Sequence, residues 1–465
     1  MKFLKYFLLL YLLTAGITKS EAFEMKAGTA KGVITPDKPL FMTAWKTPAG
    51  KVHDLYARVL VLNDGDKRLV IVTYDLSAFG TATNILRKKC EEELNIDKSR
   101  LIFIATHNHQ GPLPRLPENF AYMRWAAEKV FTLIKEAIAN EMGPIQLYYG
   151  NGYGYFVRER EARDNSSNAP IDYEVQLLKV MSNNKTLAML FNHPAHPLRD
   201  AVEKYGVSHP GYAIDYIEEK IPGTMAMYGD GCGGNQQVIS PEGIDGDLAA
   251  AKFLGRELAE VVLDISKEPM QEVTGPISSK FESISLPLAP PVSYTEALQL
   301  AKDIPLDIEI AYLKDRGSNW IRALLKHYKE GIPFPTKTAD LIYDDTQTYL
   351  FNDLDNRETF SNRIEQVIVT KIGKMIFAAM QGEVCAPIGM RIKDKFRYKN
   401  PIMVFAYMGE HEVYIPTREL VRMNGYQARS ITRQFGSPCG WSPEVEDETV
   451  NGVVKMIESV LGEKE

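Results

Sequence analysis

The feature that most constrains this chain is an apolar run, Leu101 to Ile104, that leads into Ala105-Thr106-His107-Asn108-His109-Gln110-Gly111-Pro112. A short apolar run that stops at Gly and Pro is typical of a buried strand breaking into a loop. Side chains two residues apart in an extended strand point to the same face, so we expect His107 and His109 to converge. Two convergent imidazoles favour a zinc site, and the alternative is that they cap the strand end by hydrogen bonding.

Composition and charge exclude several classes of protein. The chain has 465 residues, of which 45% are hydrophobic and 25% charged, as in folded globular proteins. Its net charge of −6 and the lack of a basic block argue against a nucleic-acid partner. Its 4 cysteines have no CxxC spacing, so a cysteine-based zinc site is not expected.

The N-terminus has the pattern of a secretory signal peptide. Lys2 and Lys5 precede the apolar stretch Tyr6 to Leu13, and Ser20-Glu21-Ala22 carries small residues where a signal peptidase reads them. The apolar stretch is too short to span a bilayer comfortably. We therefore expect residues 1–22 to be removed and the mature protein to be secreted or periplasmic, without a transmembrane span.

The rest of the chain mixes strand and helix patterns, which predicts an α/β fold of layered sheets flanked by helices. Residues 56–63 and 68–75 read as a hairpin joined by Asp64-Gly65-Asp66. Apolar spacing predicts helices over 120–139 and 247–265, the second capped by Asp247. A helical stretch at 294–331 is predicted as an insertion or a helical layer within a single domain, 23–465.

A second pair of histidines follows another predicted strand, in Phe191-Asn192-His193-Pro194-Ala195-His196-Pro197. The two prolines exclude a helix, so this pair cannot bind metal as an HExxH helix does. Alone, the segment also fits a rigid structural turn. Since four of the 8 histidines lie at two such strand ends, however, the clustering favours a metal centre at the strand ends.

Three further segments carry polar candidates. Residues 227–237 form a glycine-rich loop whose N–H groups can face a substrate oxygen. The alternative is a tight turn without a chemical role. Cys232 in this loop is interpreted as a buried residue that takes no part in the chemistry. Glu383 follows an apolar strand, where a carboxylate must be solvated, paired or bound to metal. His411 is interpreted as part of a solvated charge cluster before a helix capped by Thr417.

Seven short motifs run in a fixed order through nearly all of the mature chain. They are Ala27-Gly28-Thr29-Ala30-Lys31-Gly32-Val33-Ile34-Thr35-Pro36, His53-Asp54-Leu55-Tyr56-Ala57-Arg58, Thr106-His107-Asn108-His109, His196-Pro197, the glycine-rich loop, Gly382-Glu383 and Tyr414-Ile415-Pro416-Thr417. Together they resemble the neutral/alkaline non-lysosomal ceramidases, specifically the N-terminal catalytic domain of that family. The resemblance implies a zinc-dependent hydrolase that cleaves the amide bond of an N-acyl lipid or a related substrate.

The resemblance also implies a set of site residues. The implied Zn²⁺ ligands are two histidines, a glutamate and a tyrosine: His107, His196, Glu383 and Tyr414. His196 matches the family motif better than His193. A dication favours deprotonation of a phenol, whose pKa is ordinarily about 10, so a tyrosine can serve as a ligand.

Catalytic roles are implied for His109, beside the metal, and for an arginine, with Arg158 and Arg160 both open. The glycine-rich loop departs from the family, because Gly234-Asn235-Gln236-Gln237 replaces a Gly-Asp-x-Ser motif that carries a catalytic serine. Gln237 cannot be a nucleophile, although its amide, like that of Asn235, can orient substrate or water.

Water activated by zinc needs no serine, so hydrolysis is still expected. Two alternatives are open. One is a zinc hydrolase acting on another ester, lactone or amide, and the other is a catalytically silent relative that binds a lipid or glycan.

Overall fold

The computed structural model describes residues 24–80, 82–160, 169–197, 203–303, 362–409, 413–434 and 439–462, with a few isolated positions between these ranges. The predicted signal peptide, His411 and most of the predicted insertion at 294–331 lie outside the described residues. Within that insertion, Tyr294–Asp303 is helical. No described helix combines the length and apolarity needed to cross a bilayer.

The strands of the described residues, numbered in chain order, are β1 Lys26–Val33, β2 Tyr56–Asn63, β3 Arg68–Tyr74, β4 Leu101–Ala105, β5 Ile145–Tyr153, β6 Val157–Glu159, β7 Glu174–Ser182, β8 Lys185–Asn192, β9 Met225–Tyr228, β10 Gln236–Val238, β11 Gln271–Glu272, β12 Ile277–Pro287, β13 Asn362–Ile372, β14 Met375–Gln381, β15 Glu383–Val384, β16 Ile402–Met408 and β17 Tyr414–Ile415. The α-helices are α1 Ala82–Leu94, α2 Phe120–Ala139, α3 Ser208–Lys220, α4 Asp247–Lys267, α5 Tyr294–Asp303, α6 Ala386–Phe396, α7 Arg418–Arg422, α8 Tyr426–Arg433 and α9 Val445–Gly462.

Two sheets form the centre of the molecule. An 8-stranded sheet has the order β1-β2-β3-β4-β16-β14-β13-β12, and a 5-stranded sheet has the order β11-β5-β7-β8-β9. Two short ribbons, β10-β6 and β15-β17, lie beside them. The predicted class of layered sheets flanked by helices is therefore confirmed.

Alternating side chains hold these layers together. In β2, Leu60 and Leu62 enter the core between the two sheets, whereas Val59 and Val61 enter the core beneath helices α1, α2 and α9. In β8, Leu190 faces the core between the sheets and Phe191 faces helices α3 and α4. Because successive strand residues point to opposite faces, runs apolar at every position build cores on both sides of each sheet.

Several local predictions can be compared directly with the structure. The hairpin of β2 and β3 and the bounds of α2 are confirmed. Thr417 caps α7, since its side chain accepts a hydrogen bond from the Leu420 N–H. The prediction that Asp247 caps α4 is wrong: Gly246, at φ +89°, is the cap residue, and Asp247 is the first residue of the helix.

A buried charge network lies directly behind the strand ends. Lys393 of α6 donates to Asp172 Oδ2 (2.6 Å) and to Glu174 Oε2 (2.7 Å), and all three residues are buried. Burial opposes the charge of Lys393, but the two carboxylates raise its pKa overall. The backbone of Asp172 is bound in turn by the Gln236 amide, and the Gln236 carbonyl accepts from the His196 N–H (3.1 Å).

We expect Lys393→Ala to lower the free energy of unfolding by about 3–5 kcal/mol, because it leaves the buried Asp172 carboxylate without a counter-charge and Glu174 with Arg397 alone. Urea unfolding followed by circular dichroism measures the change. Lys395→Ala is the matched control, since Lys395 is exposed on the same helix. Equal stability of the two variants would contradict the network's role.

Candidate metal centre

Five side chains from four distant segments meet at one point. His107 Nε2 lies 3.1 Å from His196 Nε2 and 3.1 Å from His109 Nε2. Glu383 Oε2 lies 3.2 Å from His107 Nε2 and 3.6 Å from His196 Nε2. Tyr414 Oη is 3.5 Å from His196 Nε2. All four residues predicted as metal ligands are therefore neighbours, with His109 beside them.

The first two histidines are positioned by a turn at the end of β4. The strand ends at Ala105, and His107 has a left-handed backbone with φ +54°. The Asn108 side chain fixes this turn, because its Nδ2 donates to the carbonyls of Asp75 (3.1 Å) and Gly206 (2.8 Å). His107 and His109 converge as predicted, but a turn and not an extended strand brings them together.

His196 reaches the centre from the other sheet. It follows β8 in an extended segment, and its backbone forms a parallel bridge with Gln237. His193 lies elsewhere: its Nε2 is 3.2 Å from the Gly154 carbonyl oxygen, and its ring packs on Phe156. The structure thus brings His196, and not His193, to the cluster.

Glu383 and Tyr414 are brought side by side by backbone pairing. They are directly opposite each other in the parallel ribbon of β15 and β17. Both are buried, at 5% and 3% exposure. Side chains paired in this way share one face of a ribbon, which explains why an acidic and a phenolic oxygen enter the same site from distant parts of the sequence.

Burial sets the electrostatics of the cluster. It lowers the pKa of His196 far below the usual range, and the positive charges of Arg160 and the neighbouring histidines lower it further. Burial also raises the pKa of Tyr414 well above its usual value; Arg160 opposes this shift and Glu383 adds to it. In the absence of a cation, the imidazole of His196 is neutral and the phenol of Tyr414 keeps its proton.

This donor set fits a metal ion. His107, His109 and His196 each offer a ring nitrogen, and these nitrogens all lie within 4.8 Å of one another. Among the described residues, this is the one such group of three His, Cys, Asp or Glu side chains. His107 can keep its proton on Nδ1, which is 3.3 Å from the Ser77 carbonyl oxygen, and direct the Nε2 lone pair inward. Imidazole nitrogens with a nearby carboxylate are typical ligands of zinc and similar ions.

The structure separates the two candidate arginines. Arg160 Nη1 donates to Tyr414 Oη (2.9 Å) and to the Gly234 carbonyl (3.2 Å), and it lies 3.4 Å from His196 Nδ1. Arg158 instead binds Gln237: with the amide turned towards the guanidinium, Gln237 Oε1 accepts from Arg158 Nη2 (2.7 Å) and Nε (3.2 Å). Arg160 therefore contacts the cluster, and Arg158 contacts the loop.

Two aromatic residues of the site gave no signal in the sequence. The Tyr407 ring packs on His107 with centroids 4.2 Å apart. In the sequence, Tyr407 lies near the end of an apolar strand, which is typical of a core residue. Tyr426 packs edge-on against Tyr414 and lies under the guanidinium of Arg160. It is 37% exposed and begins what reads as a surface helix. Tyr426 therefore lies where the centre meets solvent.

The glycine-rich loop packs between the segments that carry His196 and Glu383. A Cβ atom on Gly233 would lie 2.8 Å from the Ala195 nitrogen, and one on Gly234 would lie 2.5 Å from the Glu383 carbonyl oxygen. Only glycine permits such close approach. Asn235 is fully buried, and its Oδ1 accepts from the Ala386 N–H (2.7 Å) at the start of α6.

The thiol of Cys232 is also buried, and burial raises its pKa, so it does not form a thiolate nucleophile. Cys232 therefore has the surroundings of the buried spectator predicted from the sequence. All four cysteines are buried.

No protein-family model matches the chain, and no curated protein matches its sequence at a significant level. Several solved structures match its fold, among them two ceramidases. One is described as a ceramidase complexed with C2, with a TM-score of 0.70 and 17% identity, covering 94% of this chain and 75% of that one. The other is a neutral ceramidase from Pseudomonas aeruginosa, with a TM-score of 0.68, 17% identity, and coverage of 94% and 74%. The chain therefore has the fold of these two proteins.

Proposed function

We propose that this protein is a zinc-dependent hydrolase that cleaves the amide bond of an N-acyl lipid or a related substrate. The observation that carries the proposal is the convergence of His107, His196, Glu383 and Tyr414, with His109 beside them. The fold supports it, since two of the structures with this fold are described as ceramidases. Export through the N-terminal segment 1–22 is part of the proposal and rests on the sequence pattern.

In this proposal, His107, His196, Glu383 and Tyr414 hold the metal. When bound, zinc would supply Lewis acidity and make a water molecule acidic near neutral pH. The neutral imidazole of His196 suits a ligand, because a protonated ring has no lone pair to give. Hydrolysis then forms a C–O bond from water to the acyl carbon and breaks the C–N bond, and a proton passes to the leaving amine.

The surrounding residues have roles in steadying charge and moving protons. His109 is half-buried beside the ligands, where its ring can donate a hydrogen bond to the developing oxyanion or carry a proton. Burial disfavours the charge of Arg160, but Tyr414 and Glu383 raise its pKa overall, so the guanidinium stays positive next to the reacting carbonyl. A fixed positive charge of this kind favours a developing negative oxygen.

Asn235 and Gln237 act as positioning residues in this proposal. The Asn235 carbonyl accepts from the Arg160 N–H (2.8 Å), while its side chain binds the start of α6. The amide of Gln237 holds the guanidinium of Arg158. Neither supplies a nucleophile, so the attacking group is water and the missing loop serine does not prevent the reaction.

We expect His107→Ala and Glu383→Ala each to weaken zinc binding by well over about tenfold, because each removes a donor from the cluster. Elemental analysis and titration calorimetry of the purified variants measure the loss. The control is His53→Ala, since His53 binds Asp215 outside the centre. Zinc affinity equal to that of the natural protein in either test variant would make that ligand assignment wrong.

We expect the zinc-loaded protein to release fatty acid from a fluorescent ceramide, or to hydrolyse members of a panel of simple amides, esters and lactones.

Arg160→Gln should lower kcat by about 10²–10³-fold, as loss of an oxyanion-stabilising group does in other enzymes. Zinc content is measured on the same samples, and Arg160→Lys should recover part of the activity. Stoichiometric zinc without turnover of any panel member would instead favour a silent binding protein.

A further inference from the structure

Arg158 lies in β6, and Arg160 directly follows that strand on the same face of the β6–β10 ribbon. Val157 precedes the two arginines and Glu159 lies between them, and both are buried, at 1% and 3% exposure. The two arginines are half-buried. Alternate strand residues share a face and are about 7 Å apart, so Arg158 is on the side from which Arg160 reaches Tyr414. Gln237 is directly opposite Arg158 and therefore shares this face.

This ribbon places Arg158 at the edge of the metal centre. Gln237 pairs with Arg158 on one side and bridges His196 on the other. Two strand spacings separate the backbones of His196 and Arg158, which is about 10 Å. A long arginine side chain spans much of that distance. A group attached to a substrate bound at the centre is therefore within reach of Arg158.

The charge of Arg158 has no counter-charge in the described part of the chain. No carboxylate of the described residues forms an ion pair with Arg158. Gln237 accepts hydrogen bonds only from the Nε–H and from one N–H of Nη2. A guanidinium has five N–H donors in a fixed fork, so three remain for another acceptor. Gln237 also fixes the orientation of the fork, which lowers the entropic cost of binding a planar oxyanion.

We propose that Arg158 determines specificity by binding a carboxylate on the amine portion of the substrate. The inference rests on the proposed amide hydrolysis, and it narrows the substrate class to N-acyl amino acids and similar anionic amides. The acyl portion of such a lipid is hydrocarbon, so the charge must lie on the amine side. A neutral N-acyl amino alcohol would leave the half-buried guanidinium without a counter-charge, whereas a carboxylate forms two charge-assisted hydrogen bonds.

The test compares two ligands that differ only in this group, N-octanoylglycine and N-octanoylethanolamine. Their binding to the zinc-loaded full chain is measured by calorimetry, and octanoate release is followed in parallel. We expect the carboxylate ligand to bind at least about tenfold more tightly, and added salt to reduce the difference. Arg158→Gln should abolish this preference, and Arg158→Lys should keep part of it. Arg68→Gln, which removes an arginine bound to Glu141 elsewhere, should leave it unchanged.

Equal affinity for the two ligands, binding of neither, or a preference that survives in Arg158→Gln would each overturn the inference. Failure of the proposed function gives a different result. In that case no octanoate is released from either ligand by protein with stoichiometric zinc, while the binding preference and its loss in Arg158→Gln are still observed. The two ideas can therefore fail separately.

Discussion

The candidate site depends on the approach of His107 and His196 across two different sheets. Their Nε2 atoms are 3.1 Å apart, although one residue follows β4 of the 8-stranded sheet and the other follows β8 of the 5-stranded sheet. The core between the sheets sets this distance, because it contains residues of both strands, such as Ile104 of β4 and Leu190 of β8. Loss of that packing would move the two halves of the donor set apart, so the stability of the fold and the geometry of the site have the same source.

Backbone pairing does most of the remaining positioning. The β15–β17 ribbon aligns Glu383 with Tyr414, and the β6–β10 ribbon carries Arg160 to the phenol. The amide of Gln236 connects that ribbon to the buried network around Lys393. Site residues are therefore held by strand register and by buried hydrogen bonds, which are more rigid supports than exposed loops.

The sequence predicted several elements well, because helical spacing of buried residues and unbroken buried strand runs are both visible in the pattern of apolar residues. The bounds of α2 and the β2–β3 hairpin are examples. The turn at His107 was not predicted, since a positive φ in a non-glycine residue is imposed by tertiary contacts such as those of Asn108. Strand register likewise decides which arginine reaches the centre, and no local signal records it.

In the proposed hydrolysis, the glycine-rich loop has a structural role and does not supply a nucleophile. A loop built for a nucleophile must present a reactive side chain, but Gly233 and Gly234 here allow the backbone to approach Ala195 and Glu383 closely. Larger residues would push apart the segments that carry His196 and Glu383, so these glycines serve the geometry of the donor set. With Cys232 buried and Gln237 bound to Arg158, the loop offers no attacking atom of its own. In the proposed hydrolysis the attacking group is therefore water, and the loop would contribute by keeping the segments of His196 and Glu383 close together and by orienting Arg158.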